Sequence, residues 1–329
     1  MKSIYRLNFK VTLCLTLALI LIVSLAQSSN LVLDKAQAQT SENPNIEINI
    51  VGDVHNMAPV NTNSILKLKS AFSAGDLNIL NLETAITDYN VKEIKKYNFK
   101  THPQFLDTLS QTGFNLFNIA NNHTYDYGLK GFKDTLNALE DRNLTYVGGG
   151  LDKEKAYNGV TIDIKGLRLG ILSFAKVNGG PKSIATSSKP GITDGYNVKE
   201  AIKSIKEMKK RSDLVIILTH WGAENTTCPR LIERSSASSW LKAGADIIVG
   251  GHSHTIQPVE LKDNKLVSYS LGNFIFYSTS ALNRQTGILH LTITPEKVIS
   301  YSFSPYTIDI KSKVPTPTKN NTFNLPICK

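Results

Sequence analysis

The sequence lacks the stripe of lysine and arginine with interleaved aromatic side chains that is typical of nucleic-acid-binding proteins. We therefore expect no nucleic-acid partner. The charge that is present is basic: the formal net charge is +10, and residues 1–38 carry a net +3 of it. Such an excess attracts an anionic polymer, a phosphorylated substrate or an anionic membrane surface, and it selects none of them.

Long apolar runs are scarce, and the longest, Val11–Ala26, stands near the amino terminus behind three basic residues. This arrangement is typical of a secretory signal, and the run is shorter than the roughly 20 residues of a membrane-spanning helix. Small-residue cleavage sites end at Ala26 and at Ala38, and a retained anchor is the alternative. We expect residues 1–38 to be a signal peptide or N-terminal anchor. The protein is then exported, with a periplasmic, cell-surface or membrane-anchored location.

Cysteine is also scarce, with three residues in the chain. Cys14 lies within the apolar amino-terminal run, which leaves Cys228 and Cys328. A pair of cysteines in an exported chain is more typical of a disulfide than of a metal site. We therefore predict a disulfide between these two residues.

From Asn45 onward, apolar runs alternate with helical patterns, which predicts an α/β fold. Without a visible linker, residues 39–310 are expected to form one domain, followed by an irregular tail over 311–329. Five apolar runs predict buried strands: Ile46–Val51, Leu77–Leu82, Asn115–Ala120, Leu214–Thr219 and Ile247–Val249. Helical patterns cover Thr62–Ser73, Pro103–Thr112, Leu129–Arg142, Val198–Lys210 and Pro229–Ala243.

Each of the five strands ends in residue types that bind metals. These residues are Asp53 and His55, Glu83, Asn122 and His123, His220, and His252 and His254. In open α/β sheets, ligands bind at the carboxyl edge of the strands. A His-x-His pair alone is often an ordinary polar turn, but in an extended turn His252 and His254 point the same way. Five strand ends of this composition predict one shared site.

Seven of these residues offer a mixed shell of nitrogen and oxygen donors without a thiolate. They are Asp53, His55, Glu83, Asn122, His220, His252 and His254. Such a shell suits two divalent transition-metal ions, Mn, Fe or Zn, better than Ca or Mg. Two adjacent metals lower the pKa of a bridging water and clamp the reacting oxygens. The implied chemistry is hydrolysis.

The predicted ligands lie within six motifs. These are Gly52-Asp53-Val54-His55, Asn81-Leu82-Glu83, Ala120-Asn121-Asn122-His123 through Asp126-Tyr127-Gly128, His220-Trp221-Gly222-Ala223-Glu224, Gly250-Gly251-His252-Ser253-His254 and Ser270-Leu271-Gly272-Asn273-Phe274. Together they resemble the calcineurin-type metallophosphoesterase superfamily, and specifically its poly-γ-glutamate capsule-synthesis (CapA-like) branch, over roughly Ile46–Phe276. The resemblance implies an α/β fold of the metallophosphoesterase type, a four-layer α-β-β-α sandwich.

The resemblance also divides the ligands between two metals. One metal takes Asp53, His55, Glu83 and His254, and the other takes Glu83, Asn122, His220 and His252. Glu83 holds the bridging place that the wider superfamily usually gives to an aspartate. The capsule branch often lacks the histidine after the first aspartate, so the presence of His55 favours a fully loaded site. Asn225 stands where an aromatic residue is expected, which leaves the local substrate contact open.

His123 and Asp126 are the predicted catalytic pair. By resemblance, His123 sits beyond the metals, where a protonated imidazole acts as a general acid on the leaving group. Asp126 is close enough in sequence to accept its other N–H. The alternative is that Asp126 caps the helix that begins near Leu129.

Three further residues are candidate substrate contacts. Lys100 and His102 are placed to face an anionic substrate, and the alternative is an exposed basic loop. Glu224 follows His220 by four residues. At this position we expect Glu224 to make a polar contact to the substrate or to a metal ligand. The alternative is an ordinary solvated carboxylate in a loop.

The sequence and the resemblance favour an exported metal-dependent hydrolase in capsular poly-γ-glutamate or envelope-polymer biosynthesis. One alternative is a phosphomonoesterase or phosphodiesterase acting on nucleotides or envelope phosphates. Another is a non-catalytic subunit that binds the polymer. The expected partners are an anionic polymer or phosphorylated substrate and, by resemblance, the membrane capsule-synthesis machinery.

Overall fold

The computed structural model describes residues 45–56, 60–318 and 325–328. The predicted signal or anchor, residues 1–38, lies outside these ranges. Among the described residues, the structure contains no helix with the length and apolarity needed to cross a bilayer.

Strands and helices alternate along the described chain. The strands are β1 (Ile46–Val54), β2 (Leu77–Leu82), β3 (Ala85–Ile86), β4 (Lys100–Thr101), β5 (Leu116–Asn118), β6 (Thr145–Val147), β7 (Gly149–Gly150), β8 (Val160–Ile164), β9 (Leu167–Ala175), β10 (Gly191–Ile192), β11 (Leu214–His220), β12 (Ile247–Gly251), β13 (Val259–Lys262), β14 (Lys265–Ser268), β15 (Asn273–Ile275), β16 (Gln285–Ile293), β17 (Val298–Ile308) and β18 (Pro315–Pro317). The helices are α1 (Thr62–Leu66), α2 (Lys69–Phe72), α3 (Gln104–Thr112), α4 (Gly128–Glu140), α5 (Lys153–Asn158), α6 (Val198–Lys209) and α7 (Leu231–Ala243), with a 3-10 turn over Pro181–Ser183.

Two large sheets contain most of the strands. The first has the order β18-β17-β16-β1-β2-β5-β6, with β15 also paired to β1. The second has the order β13-β14-β12-β11-β9-β8. Strands β1, β2, β5 and β6 are parallel, as are β9, β11, β12 and β14. Because parallel strands end at the same edge, each sheet has one edge where several carboxyl ends meet.

Side-chain alternation explains how the two sheets pack. In β11, Leu214, Ile216 and Leu218 join an apolar core that also contains Ile48 and Ile79 of the first sheet. Successive side chains of a strand point to opposite faces, so the intervening residues of β11 face the other way. The sheets therefore pack face to face around a shared apolar layer.

Helices cover both outer faces. Phe105 of α3 and Phe132 of α4 pack against Phe117 of the first sheet. On the second sheet, Ile205 of α6 and Trp240 of α7 belong to one cluster with residues of β9, β11 and β12. The layers run helix, sheet, sheet, helix, which confirms the predicted α/β four-layer α-β-β-α sandwich.

Two sequence predictions differ locally from the structure. The helix predicted over Thr62–Ser73 is two short helices, because the Leu68 amide donates to the Ile65 carbonyl in a tight three-residue turn. The tail predicted to be irregular contains β18, which pairs with β17. Proline is tolerated in a strand at the edge of a sheet.

The predicted disulfide is present in the structure. Cys228 and Cys328 are bonded, with a Cα–Cα distance of 5.8 Å. It joins the loop after β11 to the carboxyl-terminal tail, 100 residues further along the chain.

Candidate functional site

The site lies where the carboxyl edges of the two sheets meet. Asp53, near the end of β1, and Glu83, directly after β2, come from the first sheet, and His220 and His254 come from the second. His220 Nε2 lies 3.3 Å from Glu83 Oε1, and His254 Nδ1 lies 3.4 Å from Asp53 Oδ2. The fold therefore brings together predicted ligands that are far apart in sequence.

The carboxylate of Glu83 is the most unusual group in the site. Its side chain is fully buried, and neither oxygen makes a hydrogen bond to any of the described residues. One ligand atom each from Glu83, His252 and His254 lie within 4.8 Å of one another. A buried carboxylate without hydrogen bonds is costly unless a cation compensates its charge.

The loop that carries His252 and His254 is not extended, contrary to the sequence prediction. His252 has φ of 88° and His254 has φ of 56°, so both adopt left-handed backbone conformations. Residues other than glycine rarely adopt such angles, and the few that do cluster at functional sites. The two rings still converge, with centroids 5.8 Å apart.

Asn273 orients the ring of His254. His254 Nδ1 lies 2.8 Å from Asn273 Oδ1, and a neutral ring that donates from Nδ1 presents Nε2 as its metal-binding nitrogen. Although burial opposes the charge, Glu83 and Asp53 raise the pKa of His254 to about 10. Without a cation the ring is therefore protonated, and a metal at Nε2 would have to displace a proton. The place of Asn273 in the Leu-Gly-Asn-Phe motif predicts a turn residue beside the site. Asn273 does lie beside the site, but it is the first residue of strand β15.

Asp53 is held by groups from both sheets. Asn81 Nδ2 donates to Asp53 Oδ1 over 2.7 Å and also lies 3.1 Å from His220 Nδ1. Burial raises the pKa of Asp53, but His254 and His220 outweigh it and lower the pKa to about 2. No role was predicted for Asn81 beyond its place in the Asn81-Leu82-Glu83 motif, and it is one of two asparagines in the otherwise apolar strand β2.

The remaining predicted ligands, His55, His252 and Asn122, also lie near the cluster around Glu83 and Asp53. Burial, reinforced by neighbouring histidines, lowers the pKa of His55 to about 3 and that of His252 to about 2. Both imidazoles are thus held in the neutral form that binds metals. Asn122 Oδ1 lies 2.8 Å from His220 Nε2.

These residues fit divalent cations. The donors are imidazole nitrogens and carboxylate or amide oxygens, and the two carboxylates, Asp53 and Glu83, are completely buried. His252 Nδ1, like the Glu83 oxygens, makes no hydrogen bond to the described part of the chain. Buried charges of this kind are stabilised by pairing or by metal coordination. The donor set matches the preferences of Mn, Fe and Zn.

His123 and Asp126 form a hydrogen-bonded pair beside the cluster. His123 Nδ1 lies 2.7 Å from Asp126 Oδ2, and His123 Nε2 lies 3.9 Å from Glu83 Oε1. Asp126 Oδ2 also accepts from the Phe99 amide over 2.6 Å. The alternative role for Asp126, a helix cap, does not apply, because α4 begins after Tyr127 and its N-cap residue makes no side-chain capping bond.

Lys95 is a further residue that the sequence analysis missed. Its ammonium forms an ion pair with Asp126 Oδ1 and donates to the Asn122 carbonyl over 2.7 Å. It therefore connects Asp126, the partner of the predicted acid, to the segment that carries the predicted ligand Asn122. Lys95 lies in a polar loop and is distant in sequence from both Asp126 and Asn122, so no sequence pattern indicated these contacts.

The three predicted substrate contacts lie at the periphery. Lys100 Nζ donates to the Tyr89 carbonyl and to Asn90 Oδ1. His102 is exposed and pairs with Asp88 at 3.2 Å. Glu224 is exposed in the loop that follows β11. Substrate contact at these residues stays a prediction.

Solved structures align with this chain at low sequence identity. TT1561 of Thermus thermophilus aligns at 10% identity over 77% of this chain and 100% of that chain, with a TM-score of 0.43. Vps29 of Chaetomium thermophilum aligns at 10% identity over 83% of this chain and 91% of that chain, with a TM-score of 0.35.

Curated relatives are similar at higher identity. The PGA biosynthesis protein CapA of Bacillus subtilis (strain 168) is 32% identical over 76% of this chain and 66% of the relative. The capsule biosynthesis protein CapA of Bacillus anthracis is 36% identical over 56% of this chain and 46% of the relative. The chain thus spans about half to two thirds of the length of these relatives.

A family model identifies the family. Residues 31–278, well over half of the chain, match the model described as bacterial capsule synthesis protein PGA_cap. This match confirms the resemblance to the capsule-synthesis branch that the sequence motifs indicated. The chain therefore belongs to the bacterial capsule synthesis protein PGA_cap family.

Proposed function

We propose that the protein is an exported metal-dependent hydrolase that acts on capsular poly-γ-glutamate during capsule biosynthesis. The observation that carries the proposal is the buried carboxylate of Glu83, which lacks hydrogen bonds within the described chain and faces His220, His252 and His254. This arrangement favours a cation-binding centre over a purely structural polar cluster.

The proposed centre uses residues from both sheets. Asp53, His55, Glu83 and His254 would hold one divalent cation, and Glu83, Asn122, His220 and His252 would hold a second. Bound there, the cations would supply Lewis acidity and a nucleophilic water at neutral pH. Asn81 and Asn273 orient the ligands that they contact.

His123 is the proposed general acid. Hydrolysis of an amide adds water across the C–N bond, so the carbonyl carbon gains an oxygen and the leaving nitrogen needs a proton. His123 Nε2 faces Glu83, and Asp126 holds Nδ1, which fixes the orientation of the ring. The imidazole would donate its Nε2 proton to the leaving amine.

Two observations support an anionic polymer as substrate. A relative named PGA biosynthesis protein CapA is 32% identical over 253 residues. Residues 39–329 alone have a formal net charge of +7, which attracts polyanions.

The test is to incubate the metal-reconstituted protein with poly-γ-glutamate and, separately, with a panel of phosphomonoesters and phosphodiesters. We expect shortening of the polymer and release of new amino groups, both abolished by a chelator and restored by Mn or Zn. His290→Ala, in β16 and outside the cluster, serves as a control for histidine replacement. Phosphoester turnover without cleavage of the polymer would assign the centre to a phosphoesterase. Binding of the polymer without turnover of any substrate would indicate a non-catalytic subunit.

A further inference from the structure

A loop beside the acid pair exposes apolar side chains that the fold does not use. We call residues 88–98 the rim loop. Val91, Ile94 and Tyr97 are all exposed, and Ile94 is fully so. Tyr89, in the same loop, is also partly exposed. Single exposed apolar residues are common on protein surfaces, but four within one short loop indicate an interaction site.

The rim loop is fixed to the site at its base. Lys95 pairs with Asp126 and donates to the Asn122 carbonyl. The Glu93 amide donates to the Asp126 carbonyl over 2.8 Å, and Asn98 Nδ2 donates to the same carbonyl over 3.3 Å. These bonds hold the polar side of the loop inward, so its apolar residues face solvent.

Basic side chains surround the exposed apolar residues. Lys92 and Lys96 are exposed, and Lys96 Nζ lies 5.0 Å from the ring centroid of Tyr97. Lys182, from a neighbouring loop, lies 3.7 Å from Glu93 and is largely exposed. The surface therefore combines an aliphatic tip, a tyrosine and several ammonium groups.

We propose that the rim loop is a docking surface for an anionic lipid bilayer. Aliphatic side chains enter the acyl boundary, tyrosine prefers the headgroup level, and lysine ammonium groups bind anionic headgroups while their stems remain apolar. A soluble polyanion would match the lysines but would offer no apolar phase for Ile94. Because the loop is bonded to Asp126 and Asn122, docking turns the mouth of the site toward the membrane.

The test uses the full chain, with tryptophan as a position-specific reporter. Tyr97→Trp places the reporter in the rim loop. Ile299→Trp is the matched control, because Ile299 is exposed near the start of β17, close to the amino end of β1 and therefore away from the site. The native Trp221 and Trp240 are buried and give a constant background. Vesicles of phosphatidylcholine with or without phosphatidylglycerol carry bromine in their acyl chains as a quencher.

We expect bromine to quench the reporter in the Tyr97→Trp variant but not in the Ile299→Trp variant, and only on vesicles that contain phosphatidylglycerol. Adding Ile94→Asp to the Tyr97→Trp variant should abolish the quenching. Each of Lys92→Ala and Lys96→Ala should raise the lipid concentration for half-maximal quenching by about fivefold.

Because the test compares quenching at two positions of the same chain, it remains valid if an amino-terminal anchor tethers the protein to the vesicle. The test also needs no enzymatic turnover, so it does not depend on the proposed hydrolase activity. Equal quenching at both positions, or quenching that survives Ile94→Asp, would overturn the proposal. Protection of the rim-loop reporter from iodide by soluble poly-γ-glutamate, without quenching by the brominated vesicles, would assign the surface to the polymer instead.

Discussion

The imidazole of His123 is stacked on the phenyl ring of Phe99, with centroids 3.8 Å apart and ring planes inclined by 13°. The same phenyl ring lies 4.5 Å from the ring of His55. Phe99 therefore separates the predicted acid from a predicted ligand while packing against both. Together with Asp126, it fixes the plane in which His123 can transfer a proton.

Replacement of His123 tests its role as an acid. His123→Ala should lower turnover by about 10² to 10⁴, the usual contribution of general acid catalysis. The loss should be largest for substrates with poor leaving groups. Metal content, measured by elemental analysis, should match that of the wild type and of His290→Ala. Loss of metal in the His123 variant would instead identify His123 as a ligand.

Replacement of Glu83 by an isosteric amide separates metal binding from folding. Glu83→Gln should reduce the bound metal below that of the wild type, because the predicted bridging charge is lost. In the metal-free state, the variant should unfold within a few degrees of the wild type, because losing the charge interaction with His254 offsets relief of the buried carboxylate that lacks hydrogen bonds within the described chain. Elemental analysis and thermal melts with and without metal provide the two readouts. Glu207→Gln, on an exposed part of α6, is the control. Unchanged metal content would contradict the assignment.

Asn81 is predicted to couple ligands of the two sheets. Asn81→Ala removes the donor to Asp53 and leaves buried polar groups unpaired, which should cost about 1–3 kcal/mol in the free energy of unfolding. Metal affinity should fall by roughly 10- to 100-fold, as for other residues that orient ligands. Denaturant titration and metal titration measure these effects. Asn137→Ala, at an exposed position of α4, should change neither. A normal metal affinity in the Asn81 variant would argue against the coupling.

The disulfide should contribute to stability. In the chain-entropy model, a cross-link that closes a loop of about 100 residues stabilises the folded state by up to ~4.7 kcal/mol, and measured values are usually smaller. The double variant Cys228→Ser/Cys328→Ser should therefore unfold at lower denaturant concentration than the oxidised wild type. Reduced wild type should behave like the double variant. Mass mapping of exported protein should find the Cys228–Cys328 peptide, and two free thiols would contradict the prediction.

The sequence was most informative where the fold obeys simple periodicity. The apolar run of β11 predicted a buried strand, and the polar residue types at five strand ends predicted a common edge. That edge brings Glu83 within 3.3 Å of His220, although the two residues belong to different sheets and lie far apart in the sequence. The division of the ligands between two metals followed from the family resemblance rather than from periodicity.

Other features depend on tertiary contacts that periodicity does not encode. Lys95 lies in an irregular loop, and its role becomes visible only when Asp126 and Asn122 fold against it. The left-handed backbone at His252 and His254 is strained, so local preferences predict the wrong turn. Strand β18 was missed because its prolines are poor strand formers, and only the neighbouring β17 makes the pairing possible.

Strand β18 also determines which backbone hydrogen bonds this edge of the first sheet can offer to another molecule. The Thr318 amide bonds inward to the Pro305 carbonyl, and Thr316, two residues earlier, has the same orientation. Pro315 and Pro317 therefore supply the outward-facing positions, and proline has no amide hydrogen to donate. An extended segment of another molecule finds carbonyl acceptors along this edge but no matching donors. Strand β18 thus protects its own edge of the eight-stranded sheet against edge-to-edge aggregation, whereas β6 forms the opposite edge.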